Sequence, residues 1–345
     1  MDPEALNQSQ MADLTESLQS LLDAVRRDEI TAAPATVRLL VDAVATLQTV
    51  ARPPSNLPLP DVTKPLFTYG ALQPGEIAHP LIELKVRRRE QATLHGARLL
   101  VRDGLPFIED DATGAEYVEG WLLDLDLAGY EAVCSFEPKR LYKWRPSLAS
   151  VTPSESSNGN QEANVLLGRS EQRGNPDLAG VAWHSRDDPV LSVAPAVALD
   201  MYEAIDESQL FPNHLRTPAY WEQLFHLQAA YLLLWTVYER LTALRYGPAL
   251  DPVARIHQLQ VDPKFMSAFQ NAGCKGGYAV YDSRNLSKVT VGPNGEKALE
   301  AWYLARSNLS HRGKGAHGDP GTLAAAFVDA HSVLGRLLPT LVEGW

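Results

Sequence analysis

The stretch from Pro218 to Tyr246 constrains this chain more than any other. Leu224, Leu227, Ala230, Tyr231, Leu234, Val237, Tyr238 and Leu241 recur at three- and four-residue intervals. That pattern is the wide apolar face of an α-helix about 28 residues long, and Gly247-Pro248 ends it. Such a face requires partner helices. Shorter helical patterns near 252–260 and 262–271 supply them, followed by a polar Gly/Lys loop at Cys274, a helix over 295–311 and a last one over 320–341. Together they predict a four- to five-helix bundle. Glu239 and Arg240 interrupt the apolar face where that bundle is dry. A buried charge needs a partner, and Arg306 is the candidate for Glu239.

The helix over 295–311 carries Leu299, Trp302, Tyr303 and Ala305, then runs into Arg306, Asn308, His311, Arg312 and Lys314. Gly313 and Gly315 release the chain from helix. Clustered cationic side chains at a helix end suit an anionic ligand, phosphate in particular. At about 100° per residue, Arg306 and His311 differ by roughly 140° around a regular helix. Either the helix loosens near Ser310, or the pair serves a cleft shared with a second copy of the chain. The plainer alternative is a helix end whose basic residues complement the macrodipole.

Arg306-x4-His311, with Arg312-Gly313-Lys314 after it, resembles the Arg-x4–6-His motif of HEPN domains (here Apea-like), small helical bundles of which many are metal-independent RNases or toxins. The resemblance covers roughly 216–345 and includes Glu239-Arg240, a pair that in the family lies beside the motif arginine. It implies that His311 acts as general acid or base and that Arg306 binds the scissile phosphate. Asn308, Arg312 and Lys314 would orient the backbone, and Glu239 would position Arg306. No metal or other cofactor is implied.

Residues 65–145 have a different character. Pro65–Tyr69 reads as a short strand, followed by the loop Gly70-Ala71-Leu72-Gln73-Pro74-Gly75. Strand patterns follow at Ala92–Val101, around Gly96, and at Glu116–Leu125, then a short helix Leu127–Phe136 and a strand around Leu141–Trp144. Strands with one helix among them predict a small mixed barrel or sheet.

Here the chain resembles the gamma-glutamylcyclotransferase-like fold, through Tyr69-Gly70-Ala71-Leu72, Gly96-Ala-Arg-Leu99, Gly104-Leu-Pro-Phe107 and Val118-Glu-Gly120-Trp-Leu-Leu-Asp-Leu125. Phe136-Glu137, with Tyr142 five residues on, completes the match over about 65–145, and Val181-Ala-Trp183-His184 is expected as a returning strand. The resemblance implies that the Tyr69–Leu72 loop offers backbone N–H groups to the α-amino acid end of a gamma-glutamyl substrate. Glu137 would shuttle the proton as the α-amine attacks the gamma-carbonyl and 5-oxoproline leaves, and Tyr142 would help bind. Intramolecular amide exchange needs a positioned carboxylate and donors for the developing oxyanion, without a metal. Pro138 stands where many relatives carry glycine. Glu131 is an alternative acid, but within its helix it is expected to face solvent.

The remainder is less specific. Leu14, Leu18, Leu21, Leu22 and Val25, then Val37 to Leu47, predict a helical hairpin over 1–52, joined by a proline-rich connector to the next domain. Residues 146–178, rich in Ser, Asn, Gly and Pro, are expected to be a disordered insertion. Cys134 and Cys274 give no disulfide framework, and the scattered histidines are expected to be structural. The acidic start lacks a secretory pattern, and the longest apolar run, near 231–235, is far short of the ~18 residues of a membrane span. A cytoplasmic protein with no membrane partner is expected. The net charge of −11 argues against nucleic acid, yet residues 216–345 carry 13 Lys and Arg against 10 Asp and Glu, whereas the first 215 carry 18 against 32. Positive charge is thus concentrated where the Arg-x4-His motif lies.

The sequence therefore predicts an α+β chain: a hairpin over 1–52, a gamma-glutamylcyclotransferase-like barrel over 61–200 and an all-α HEPN bundle over 214–345. The function expected is a dimeric, metal-independent endoribonuclease with RNA as its partner, acting in defence or as a toxin. Its first domain would bind or process a gamma-glutamyl-type molecule. The alternative is a cyclotransferase releasing 5-oxoproline, with the bundle serving only to dimerise it.

Overall fold

The computed structural model describes residues 57–102, 104–146, 149–154, 159–169, 177–211, 217–248, 250–274, 276–282, 287–312 and 319–345, without the side chains of 178 and 310–312. The hairpin expected over 1–52 lies outside them. Five strands close a barrel: β1 (Leu66–Thr68), β2 (Val86–His95), β5 (Tyr117–Leu125), β7 (Ala149–Pro153) and β8 (Gln161–Gly168), in the order β1-β5-β2-β7-β8 with β8 returning to β1. The closing pair is parallel, Leu66 opposite Asn164, and the other four are antiparallel. A further strand, β6 (Tyr142–Trp144), extends the sheet from β8. At Gly96 the chain leaves β2 for a small second sheet of β3 (Ala97–Arg102), β4 (Leu105–Asp110) and β9 (Asp177–Leu178).

Closure needs a residue without a side chain in β5. A Cβ on Gly120 would sit 2.3 Å from the Thr68 carbonyl oxygen of β1, so the Val118-Glu-Gly120 motif has a steric reason. Along β5, Val118, Gly120 and Leu122 are buried on one face, while Leu123 and Leu125 are buried on the other against Tyr130 and Val133, so the strand is covered on both sides in its second half.

Two expectations are corrected here. Residues 149–153 and 161–168, read as part of a disordered insertion, are barrel strands. Ala149, Val151, Ala163, Val165, Leu166 and Leu167 are buried; the polar residues between the strands obscured two short apolar patterns. Val181–His184 is not a strand, although the Val181 carbonyl accepts from Glu119 N–H at 2.7 Å and Trp183 is buried.

One helix, α1 (Leu127–Phe136), packs beside the barrel. Asp126 caps its start by accepting from Gly129 N–H at 2.7 Å. It ends at Glu137 because Pro138 follows, and the residue before a proline is driven from helical into extended backbone. Short helices α2 (Pro189–Ser192), α3 (Ala194–Glu203) and α4 (Glu207–Leu210) lead to α5 (Pro218–Tyr246). All eight apolar positions read from its sequence are buried. Around it pack α6 (Pro252–Gln260), α7 (Pro263–Asn271), α8 (Ala298–Arg312) and α9 (Pro320–Leu341). Tyr231 Oη donates to the Trp302 carbonyl and Tyr238 Oη to the Ala330 carbonyl, both at 2.7 Å, so buried hydroxyls tie α5 to α8 and α9. The C-terminal region is not entirely helical. The polar loop after α7 contains a two-stranded hairpin, β10 (Ala279–Tyr281) with β11 (Lys288–Thr290).

Buried apolar side chains run without a break from Phe67 and Ile77 of the barrel region through α5 to Trp302 and Phe327. A second cluster joins α1 to the adjacent strands.

Candidate active site

The loop after β1 is pinned from several directions. Gln73 N–H donates to the Gly70 carbonyl and Ala78 N–H to the Ala71 carbonyl. The buried His79 places Nδ1 2.9 Å from the Leu72 carbonyl, a structural role as expected of it. Glu76 accepts from Ser185 N–H at 2.7 Å and meets His184 Nδ1 at 2.9 Å. The helical region holds the loop too: Glu343 N–H donates to the Gly75 carbonyl, and Arg245 Nη1 to that of Ile77. Arg245 is itself paired with Asp262 at 2.7 Å. Among the described residues, the N–H groups of Gly70, Ala71 and Leu72 donate to no protein acceptor, and such groups call for a ligand or water.

These residues line a pocket of about 110 Å³. Tyr69, Gly70, Ala71 and Leu72 form one wall, Glu137 and Tyr142 another, and Leu105 and Pro106 a third. Tyr69 Oη donates to the Leu166 carbonyl and Tyr142 Oη to the Pro106 carbonyl, both at 2.9 Å. Burial pushes both phenols well above their ordinary range, so they remain protonated donors. Burial also lifts the Glu137 carboxyl from 4.5 to about 8. Glu131, the alternative acid, is exposed on α1. The resemblance to a cyclotransferase nominated six residues over 69–142, and all six border one cavity.

The fourth wall comes from α5, through Arg240, Ala243, Leu244 and Pro248 just beyond it. Arg240 Nε donates to Asp188 Oδ2 at 2.7 Å. Asp188 also caps α2, accepting from Val190 and Leu191 N–H. Burial pushes its carboxyl up against the opposing pull of Arg240. Sequence reasoning missed both residues as part of this site. The sequence offered Arg240 as a charge on an apolar face and, through the HEPN resemblance, with Glu239 beside Arg306; in the structure it pairs with Asp188, and nothing in the sequence links it to a residue 52 positions away.

The second nominated cluster lies elsewhere. Glu239 and Arg240 are adjacent, and adjacent helical side chains point about 100° apart. Glu239 therefore meets α8, pairing with Arg306 Nη2 at 3.0 Å and accepting from Trp235 Nε1 at 2.9 Å. Asn308 Nδ2 donates to the Tyr281 carbonyl at 2.8 Å, so it helps hold the hairpin. The backbone of α8 continues as regular helix through Ser310 to Arg312. The alternative in which the helix loosens at Ser310 is thus corrected, because its backbone hydrogen bonding persists past that residue. The side chains of His311 and Arg312, and the whole of Lys314, lie outside the described residues.

Residues 66–185 match the gamma-glutamyl cyclotransferase, AIG2-like family. The matched span contains β1, the pocket loop, Glu137 and Tyr142 and ends before Asp188; α5 lies wholly outside it. No curated protein matches the chain. Among solved structures, the crystal structure of YkqA from Bacillus subtilis is similar at 18% identity, covering 37% of this chain and 42% of that one, with a TM-score of 0.27. This chain thus spans less than half the length of YkqA. Among the described residues, no helix is long and apolar enough to cross a membrane.

Proposed function

We propose that the protein cyclises small gamma-glutamyl compounds, releasing 5-oxoproline and a free amine. What carries this reading is the convergence of the Tyr69–Leu72 loop, Tyr142 and a Glu137 held near pKa 8 on one pocket. An α-amino group ordinarily titrates at about 7.7–8.0. A carboxyl near 8 therefore exchanges a proton with it at little cost, as general base and then general acid. In the reaction the α-nitrogen forms a bond to the gamma-carbonyl carbon, and the bond from that carbon to the leaving nitrogen breaks. Glu137 takes the proton from the attacking nitrogen and returns it to the departing one. Backbone N–H groups of Gly70, Ala71 and Leu72 stabilise the charge the substrate carries at the loop. Incubating the protein with gamma-glutamyl dipeptides and measuring 5-oxoproline tests the reading. No product from wild type, or equal product from Glu137→Gln, refutes it.

A second reading, metal-independent RNA cleavage with His311 and Arg306 as acting groups, is favoured by one observation: Glu239 holds Arg306 as the sequence led us to expect. It predicts RNA cleavage leaving cyclic phosphate ends, abolished in His311→Ala. RNA left intact by the wild-type dimer refutes it.

A further inference from the structure

The third wall of the pocket rests on an ion pair that lies outside the matched family span. Asp188 is fully buried, and both its carboxylate oxygens are committed. Oδ1 accepts from Val190 N–H at 2.9 Å and from Leu191 N–H at 3.2 Å, and Oδ2 accepts from Arg240 Nε at 2.7 Å. The first two bonds fix the carboxylate on the start of α2, so the third fixes the guanidinium of α5. Gly104, just before β4, sits directly against both partners. A Cβ there would overlap Arg240 Nη2 and fall 2.7 Å from Asp188 Oδ2, and Gly104 has φ +76°. Any side chain at 104 therefore meets a strained backbone and a fork that cannot swing aside without leaving a buried carboxylate unpaired.

Gly104 leads into Leu105 and Pro106, which form that wall. It supports two of the features proposed to hold substrate. The Pro106 carbonyl accepts from Tyr142 Oη at 2.9 Å, which sets the direction of the phenol. Pro106 Cγ would lie 3.1 Å from a Cβ on Gly70, so the wall also abuts the Tyr69–Leu72 loop. Asp188 itself does not line the cavity. Resting on the cyclotransferase reading, we infer that Asp188 is a positioning residue for that reaction: through Arg240 and Gly104 it sets the wall against which Tyr142 and the Gly70 loop hold the substrate. The helical region thus places binding groups that the barrel supplies.

The test measures 5-oxoproline release from a gamma-glutamyl dipeptide by wild type, Asp188→Asn, Gly104→Ala and the two changes together, with circular dichroism as the check on folding. Displacing a binding group by about 1 Å costs up to about 100-fold, so Asp188→Asn should raise KM by about 10-fold or more. Its kcat should keep the wild-type dependence on pH, because the groups that hold substrate move and Glu137 does not. Lost stability alone would lower the amount of active enzyme, and with it kcat, and leave KM where it was. Gly104→Ala disturbs the same contact from the other side, so the double variant should be little worse than the poorer single one. If Asp188→Asn does not fold, Gly104→Ala, also outside the cavity lining, carries the same reading of KM. A wild-type KM in the folded variants, or losses that simply multiply in the double variant, overturn the assignment and leave the cyclotransferase reading standing. Absence of 5-oxoproline from wild type removes that reading and this assignment with it.

Discussion

Glu137→Gln separates chemistry from stability, and the two should move in opposite directions. In the folded protein the carboxyl titrates at about 8 instead of 4.5. Between those values the native state binds a proton that the unfolded chain has released, so wild-type stability falls as pH rises across that window. At about 1.36 kcal/mol per pH unit, the span from 4.5 to about 8 amounts to at most about 5 kcal/mol. Most of it is incurred between pH 5 and pH 8, where the integrated difference is about 3.5 kcal/mol. Glutamine keeps the shape and cannot ionise, so the variant should not lose this amount.

The assay is chemical denaturation of both proteins at pH 5 and pH 8, with 5-oxoproline release measured at pH 8. Asp188, also pushed up by burial, contributes with the same sign to both proteins and cancels in their difference. Glu137→Gln should match wild type closely at pH 5, exceed it by a few kcal/mol at pH 8, and be inactive. Parallel stability curves for the two proteins would show that Glu137 is well solvated, and the argument for a proton shuttle tuned by burial would fail. The same titration predicts that wild-type activity rises from pH 6 to pH 8, since at pH 7 only about one tenth of Glu137 is carboxylate.

Tyr69→Phe leaves the buried Leu166 carbonyl without its donor and should cost about 1–3 kcal/mol, read as a lower denaturation midpoint. Gly247→Ala meets two obstacles, a φ of +90° and a Cβ 2.9 Å from the Phe136 ring. It should destabilise by about 1–3 kcal/mol and, because Phe136 adjoins Glu137, raise KM for the gamma-glutamyl substrate as well. Burial pushes the Cys134 thiol up to about 11 and that of Cys274 to about 12, so alkylation of the native protein at pH 7.5 should run at least about 100-fold slower than that of the unfolded chain.

Where local pattern sufficed, the sequence was readable. The ends of α1 follow from the cap at Asp126 and the proline at 138, and the stripe on α5 from its period. The six pocket residues of the barrel were legible only through the resemblance to the cyclotransferase family; Tyr69 to Leu72 sit in a glycine-bearing loop, but no local pattern marks Glu137 or Tyr142. Strands β7 and β8 were not legible, since each is short and the residues between them have the composition of a linker. The β10–β11 hairpin was hidden in the same way, its three-residue strands being too short for alternation to register. Arg240 was missed for a different reason. Its partner Asp188 lies in another element, and one-dimensional pattern does not say which of two adjacent charges on a helix faces which neighbour.

The wall supplied by α5 makes the acidity of Glu137 a property of the joined chain. Ala243 and Leu244 exclude water from one side of the pocket, and the Arg245–Asp262 pair carries the Ile77 carbonyl on the same helix end. A fragment of residues 57–210 retains the barrel strands and α1 but not these groups. With that wall gone, water reaches the carboxylate and its pKa should fall back towards 4.5. Carbon-13 titration of the Glu137 carboxyl in the fragment, set beside the full chain, reads this directly. The continuity of the core from Phe67 to Trp302 also predicts that the fragment is less stable than the whole. A well-folded fragment whose Glu137 still titrates near 8 would show that the barrel alone desolvates it, and that the helices play no part in tuning the proposed base.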